Sequence, residues 1–383
     1  MVAYALYLND ARIKAYVRSL EKVGAAVDVL VVREPGKPRT QLSGSTRIVY
    51  LTKQYRGDSA AMYVLSYFKF FFASFLTLSC LALRRRYTAV HVHNMPNLLI
   101  FTSVLPRLLG ARLILDVHDL MPANYMAKFH VDDRHWLVRL LVLEQRVSAM
   151  MANYVFCADH SQGEFIERIC GVPRRKLFVL LNLPNEDTFK PIKKARRNDV
   201  FELVYHGTIA HRLGIDILLR ALAHLPDDLP VRLSIYGNGD FLDQARRLAE
   251  ELRLGDRVYF SASFFPVEAI PEMVGSMDLG VVGNRRTLAC DKFMLPVKLL
   301  EYVYLGVPVV APRLEIIRRY FDEEMIKFYE PEDSMDLARC IVELYESPRE
   351  RDLMARNASR FYDAYNWHAQ AAAYLRLLSE QRA

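Results

Sequence analysis

Leu295 to Val310 reads LPVKLLEYVYLGVPVV, a run in which two charged residues interrupt otherwise apolar chain. Pro296 suits the first position of a helix, and Gly306 suits the residue that ends one. The pattern predicts a short helix from about Pro296 to Leu305, followed at once by a buried strand. Lys298 and Glu301 are three apart and share one helix face. Lys298 would sit in the first turn, where the positive helix end mildly disfavours a cation but, together with it, attracts an anion. Glu301 is a carboxylate in an apolar helix, and a buried carboxylate needs partners. The two hydroxyls of a ribose would supply them; a structural Lys–Glu pair is the alternative.

Other candidates lie at the ends of apolar runs. Tyr205-His206-Gly207-Thr208 closes one run, and Arg212 and Gly214 precede the next helix. Gly207 would let backbone N–H groups approach a phosphate, and Arg212 would make paired, charge-assisted bonds to it. An ordinary turn with a solvated arginine is the other reading. Gly237-Asn238-Gly239 follows a further strand and fits either close approach of backbone to a ligand or a tight turn. Near the start, Tyr7-Leu8-Asn9-Asp10-Ala11-Arg12 occupies the place of a dehydrogenase's G-x-G-x-x-G, which is absent and counts against an oxidoreductase. Arg12 and Asn94 at strand ends are candidates to touch an acceptor or a donor, and His118 and Asp119 end another strand. His91 and His93 alternate along a strand, with no third ligand at a suitable spacing, so they pack or orient and do not bind metal.

These residues need a scaffold, and the pattern of runs supplies one. Strand-like segments occur at Val2–Leu8, Val27–Val32, Ala89–His93, Arg112–Val117 and Tyr154–Ala158. They recur at Glu202–Tyr205, Arg232–Tyr236, Arg257–Phe260, Leu279–Val282, Val307–Ala311 and Ile326–Tyr329. Helical stretches such as Ala11–Val23, Ile215–Ala223 and Phe241–Leu252 lie between them, which is the signature of βαβ units and parallel sheets. Leu183 to Asn198 is polar and basic, with two prolines, and reads as a linker. The fold expected is α/β, with two Rossmann-like lobes facing a central cleft and ligands at the carboxyl ends of the strands. The expected division is residues 1–188, 189–362, and a last helix over 363–383, opened by Asn366-Trp367.

The 383 residues are 52% hydrophobic and 25% charged, with a formal net charge of +7. The positive balance suits nucleic acid, an anionic membrane surface or phosphorylated small molecules. Nucleic acid is set aside, because neither paired Cys/His spacing nor an aromatic strand of the RNA-binding type is present. Five scattered cysteines fit neither a disulfide framework nor a zinc site, and no basic-then-apolar leader opens the chain, so a cytoplasmic location is expected. Tyr63 to Leu83 is nearly all apolar and is followed by Arg84-Arg85-Arg86. Lys69 divides it, and the longer part falls short of the ~20 residues of a span. A buried helix of an α/β lobe is the leading reading. A helix against lipid, at the inner face of the plasma membrane with the arginines at headgroups, is the second.

Four passages in order resemble the GT-B glycosyltransferases of family 4. The donor-site form P-x-K-x-x-E-Y…G-x-P-V-V is met at Pro296 to Val310. His91-Val92-His93-Asn94-Met95-Pro96, Ile114 to Pro122 (ILDVHDLMP) and Tyr205-His206-Gly207-Thr208 agree in order and spacing. The resemblance implies a nucleotide-diphosphate sugar as donor, no metal and no cofactor, and retention at the anomeric carbon. A hexosyltransferase-type enzyme is expected. The apolar segment with its arginines suits a lipid-linked acceptor, as in cell-surface polysaccharide or glycolipid synthesis, although the family also includes enzymes with soluble or glycan acceptors. A GT-B epimerase, or a catalytically silent binding subunit, is the alternative.

Residue by residue, Glu301 matches the second acid of the family's Glu–seven residues–Glu motif, which holds the ribose hydroxyls. The first acid falls at Phe293, so the motif is broken and the contact to the donor sugar is altered. The family's phosphate-binding Arg and Lys fall at Thr208 and Leu213, and Arg212 and Lys298 replace them. His118 matches a position that faces the reacting sugar. The resemblance thus implies His118, Arg212 and Lys298 as catalytic, and Gly207, Thr208, Arg212, Gly237, Lys298, Leu300 and Glu301 as donor-binding. Arg12, Asn94 and Asp119 are left as acceptor or sugar contacts.

Overall fold

The computed structural model describes all residues except 56, 58, 192–199 and 380–383. The chain divides into two compact units, Met1–Leu181 with Ala369–Ala383, and Asn182–His368. The linker-like stretch begins inside the second unit, and its part from residue 192 lies outside the described residues.

In the first unit the described strands are β1 (Val2–Ala3), β2 (Val27–Arg33), β3 (Thr40–Ser43), β4 (Thr46–Lys53), β5 (Ala89–His93), β6 (Arg112–Val117), β7 (Tyr154–Cys157) and β8 (Leu177–Val179). They form one sheet in the order β3-β4-β2-β1-β5-β6-β7-β8, parallel except for the β3–β4 hairpin. β2 is apolar almost throughout and buried, because helices such as α1 (Ala11–Lys22) cover the sheet faces. In the second unit β9 (Phe201–His206), β10 (Val231–Tyr236), β11 (Val258–Phe260), β12 (Leu279–Val281), β13 (Val309–Pro312) and β14 (Lys327–Tyr329) are all parallel, in the order β11-β10-β9-β12-β13-β14. That is the doubly wound Rossmann order, which reverses direction between β9 and β12; ligands bind at the carboxyl ends beside such a reversal. In the first sheet the reversal falls between β1 and β5. His206 and His93 therefore stand at the two positions where the topology opens a crevice.

Three differences from the sequence reading have physical causes. The run Val2–Leu8 is a strand only at Val2–Ala3. Tyr4 then turns its ring onto Tyr67 and Phe70 and its hydroxyl to Ser66 Oγ at 2.6 Å, and Tyr7–Asn9 forms a tight turn. Strands β3, β4 and β8 escape the sequence reading; β3 is polar and exposed at the sheet edge, where burial does not pattern the sequence. The third is the apolar segment, a 25-residue helix α2 (Ala60–Arg84) capped by Ser59. Its buried stripe is Ser66, Phe70, Ser74, Leu78 and Ala82, at four-residue spacing, and only 22% of its most apolar window is buried. The leading expectation of a buried core helix is thus corrected: α2 lies against the unit along one stripe and turns a long apolar side outward.

Helix α3 spans Trp136–Met151, and α4 spans Val297–Tyr304 with Pro296 just before it and Gly306, at φ +71°, just after. The last helix, Trp367–Ser379, places Tyr374 among Tyr16, His91 and Phe156 of the first unit. On β12, Gly280 leaves the space that the Tyr302 ring fills: a Cβ there would lie 2.4 Å from the ring. Tyr302 is fully buried. Gly280→Ala is expected to lower the stability of the second unit by about 1–3 kcal/mol, read as a shift in its denaturant midpoint. An unchanged midpoint would show that the ring relaxes without cost.

Candidate active site

In the second unit the chemistry gathers at the end of β9. His206 is buried there, and its Nε2 meets Glu301 Oε2 of α4 at 2.5 Å. Its Nδ1 and backbone N–H lie 3.1 and 3.2 Å from the Tyr302 hydroxyl, which donates to Val204 O. Glu301 is therefore held by a histidine and not by Lys298. Its Oε1 has no protein hydrogen bond among the described residues, and a tenth of its side chain is open to solvent. Lys298, one turn earlier, lays its Nζ 3.6 Å from the centre of the Tyr205 ring. Burial pushes its pKa down to about 7, with Arg212 adding to the shift and Glu301 opposing it. Arg212 sits on an exposed turn, His211–Leu213, with Nη1 near Met294 Sδ.

The glycines resolve differently from expectation. The Gly207 N–H donates to Tyr236 O at 2.9 Å, so this amide does not point at a ligand. A Cβ on Gly237 would lie 1.8 Å from Gly207 O, and one on Gly239 2.1 Å from Ile209 O. Both residues are glycine because two loops interlock backbone to backbone, which corrects the reading of Gly237 as a ligand contact. Thr208 is exposed, and its carbonyl accepts from the Tyr205 hydroxyl. The Leu300 side chain is buried and its carbonyl accepts from Tyr362, so neither group is presented to a ligand. Asp291, two residues from Phe293, accepts from Glu315 N at 2.9 Å as a helix cap and does not replace the missing acid.

In the first unit a buried charge cluster lies behind the strand ends. The β5–β6 register sets His93 opposite Asp116. Asp116 Oδ2 lies 3.3 Å from His91 Nε2 and 3.4 Å from His93 Nδ1. A third potential ligand thus exists, contrary to the sequence reading, because it comes from the neighbouring strand. The set does not fit a metal ion, since Arg12 bonds both carboxylate oxygens, Nε to Oδ2 at 2.9 Å and Nη2 to Oδ1 at 2.7 Å. Its fixed charge would oppose a divalent cation on the same atoms. Burial alone would raise the Asp116 pKa, but Arg12 and His118 outweigh it and hold the carboxyl well below the usual range. Burial, reinforced by His91, pushes the His93 pKa down to about 3, so that ring is neutral.

Two expected contacts are corrected here. Arg12 is consumed by Asp116 and by Leu180 O, and is no acceptor contact. Asn94 is a clamp: its Oδ1 accepts from His118 N at 2.8 Å and its Nδ2 donates to Asp119 O at 2.8 Å. What the clamp presents is His118, partly exposed, with Nε2 3.0 Å from His93 Nδ1, and Asp119 beside it.

Residues 186–361 match the family described as glycosyl transferases group 1, and residues 10–182 match a glycosyl transferase 4-like domain. The chain belongs to the GT-B glycosyltransferases. Solved GT-B structures agree over almost the whole length. Sucrose-phosphate synthase from Thermosynechococcus elongatus superposes with a TM-score of 0.78 at 19% identity, covering 98% of this chain and 97% of that one. Anabaena HepE, in complex with UDP, gives 0.69 at 14% identity, covering 99% and 98%. Among curated relatives, a chitobiosyldiphosphodolichol beta-mannosyltransferase of Debaryomyces hansenii is 24% identical over 60% of this chain and 53% of its own. A GDP-mannose-dependent alpha-(1-6)-phosphatidylinositol monomannoside mannosyltransferase of Mycolicibacterium smegmatis is 29% identical over 45% and 46%. The chain spans about half the length of these curated relatives.

Within this GT-B chain, sequence reasoning quoted His206 and Tyr302 but gave neither a role. The signal available was their company: a histidine ending a core strand, and a tyrosine next to the one acid of α4. The Asp116 cluster gives the sharper test of the first unit. Asp116→Asn leaves Arg12 buried beside a neutral amide and is expected to destabilise the unit by about 3–5 kcal/mol, read by thermal or denaturant unfolding. Because the folded pKa is depressed, this stabilisation is present above the ordinary carboxylate range and is lost as pH falls below it. A variant as stable as wild type would show that Asp116 does not balance Arg12.

Proposed function

We propose that this glycosyltransferase moves a hexose from a nucleoside-diphosphate sugar to a hydroxyl of a lipid-linked or glycan acceptor, without a metal and with retention of configuration. The observation that carries the donor half is Glu301, fixed by His206 at the Rossmann reversal point with Oε1 left for ribose hydroxyls. Lys298, Arg212 and the amino end of α4 meet the charge that builds on the departing diphosphate. Basic side chains in this role are the reason no metal is invoked. His118 and Asp119 form the polar edge offered to sugar or acceptor. HepE, solved with UDP-glucose, supports a nucleotide-sugar donor. The curated names that print diphosphodolichol and phosphatidylinositol support a lipid-linked acceptor, and with it work at the cytoplasmic face of a membrane.

Transfer is tested by supplying UDP- and GDP-hexoses with lipid-linked acceptors in excess chelator and reading the anomeric configuration of the product by NMR. A glycosylated acceptor whose anomeric configuration matches the donor's is expected. Activity abolished by chelator and restored by manganese overturns the metal-free reading, an inverted product overturns retention, and donor conversion without acceptor overturns transfer itself.

The donor site is tested by calorimetry with the nucleoside diphosphate. Glu301→Ala is expected to weaken binding by about 1.5–3 kcal/mol with the fold intact. Lys298, at about pKa 7 in the free protein, is expected to take up a proton as its pKa rises beside a diphosphate. Affinity then falls as pH rises above 7, and the uptake vanishes in Lys298→Met. Unchanged affinity in Glu301→Ala, or no proton uptake by the wild type near pH 8, removes the respective residue from the site.

A further inference from the structure

The outward side of α2 is not alone. The apolar segment Asn97–Leu108 packs against α2 on one side and α3 on the other, so the three elements adjoin within the first unit. Each exposes large apolar side chains. On α2 these include Phe68, Phe72 and Leu76; on the middle segment, Leu108; on α3, Leu140, Leu143 and Val147, one face at helical spacing. Trp136, at the start of α3, is 69% exposed. Large apolar side chains left exposed on adjoining elements mark an interaction site.

We propose that this composite face docks flat on an anionic lipid bilayer. The proposal deepens the membrane reading given above by naming the surface, and rests on it. The orientation follows from packing: α2 is held side-on by its buried stripe and by the Tyr4–Ser66 bond, so it cannot leave the unit to cross a bilayer without stripping that contact. About 37 Å of helix then lies in the plane of the interface. Charge decides the occupant. Arg84, Arg85 and Arg86 are exposed at the end of α2, Arg107 stands beside Leu108, and Arg139 and Arg146 alternate with the apolar face of α3. No acidic residue occurs in α2. The one acid of α3, Glu144, is half-buried and accepts from Asn97 Nδ2 at 2.7 Å. A second copy apposed on this face would set arginine against arginine with no exposed carboxylate on either helix to answer, whereas anionic headgroups answer all of them. An exposed tryptophan at the rim suits the headgroup level. Asn97 also bonds Asn94, the clamp behind His118, so the docking face is tied to the strand end that faces the acceptor.

The test uses flotation on vesicles of phosphatidylcholine alone or with phosphatidylglycerol, at low and high salt, together with tryptophan emission. The chain has two tryptophans; Trp367 is 3% exposed and Trp136 reports on α3. The expected result is flotation with anionic vesicles, weakened by salt, with a blue shift that disappears in Trp136→Phe. R84Q/R85Q/R86Q is expected to lose roughly a hundredfold in partitioning at low salt. L140Q/L143Q/V147Q is expected to stay folded and lose flotation. Wild type that fails to float, floats without a Trp136 shift, or floats equally well with α3 altered overturns the proposal, as does a dimer that forms through this face in place of vesicle binding. Calorimetry with the nucleoside diphosphate separates the two readings: the α3 variant should bind it as wild type does, and a wild type that floats but binds none sinks the donor site alone.

Discussion

Glu301 and His206 are brought together from residues almost a hundred positions apart, and the strand-end site of the second unit is arranged around their 2.5 Å contact. A carboxylate inside an apolar helix is costly unless it is answered. The answer comes from the strand at the Rossmann reversal, so α4 is locked to β9 there. Tyr302 completes the lock, since its hydroxyl touches the same histidine and the same strand, and Gly280 exists to admit its ring. Lys298 is released from pairing with Glu301 by this arrangement. It rests on Tyr205 as a cation with a lowered pKa, available to an incoming anion.

The first unit solves the opposite problem. It too buries a carboxylate at the centre of a sheet, Asp116, but meets it with a permanent cation, Arg12, and two imidazoles. Both oxygens of that carboxylate are taken up by Arg12. What it delivers is position: His93 and Asn94 fix His118 at the strand end, one by its ring and the other by its side-chain amide. One unit thus leaves one oxygen of its buried acid without a protein partner among the described residues, and the other closes its acid off and uses it as a foundation.

Much of this is legible in the amino-acid sequence. The alternation of β-branched runs with helical stretches marks the doubly wound sheets, and Pro296 and Gly306 bracket α4, one residue before it and two after. Other features are not, for identifiable reasons. Arg12, Asn94 and Gly237 read as ligand contacts because they stand at strand ends, yet their partners are other parts of the chain: Asp116, His118 with Asp119, and Gly207. Linear spacing says nothing about a partner that lies on a neighbouring strand. The same blindness hid Asp116 from the two histidines. Hydrophobic content likewise cannot tell an apolar helix inside a core from one lying on its surface; α2 is the second kind because only its serine-containing stripe is buried.

The interlocked glycines set a rule for anyone remodelling the strand ends of the second unit. With the Gly207 carbonyl occupying the volume where Gly237 would carry a side chain, and Ile209 doing the same to Gly239, the two loops are a single casting. Neither can be lengthened, swapped or given a bulkier residue by itself. A loop borrowed from another member of the family has to bring the facing loop with it as a matched pair, whereas single changes fit at side chains such as Thr208 and Phe293, which stand partly or wholly in the open.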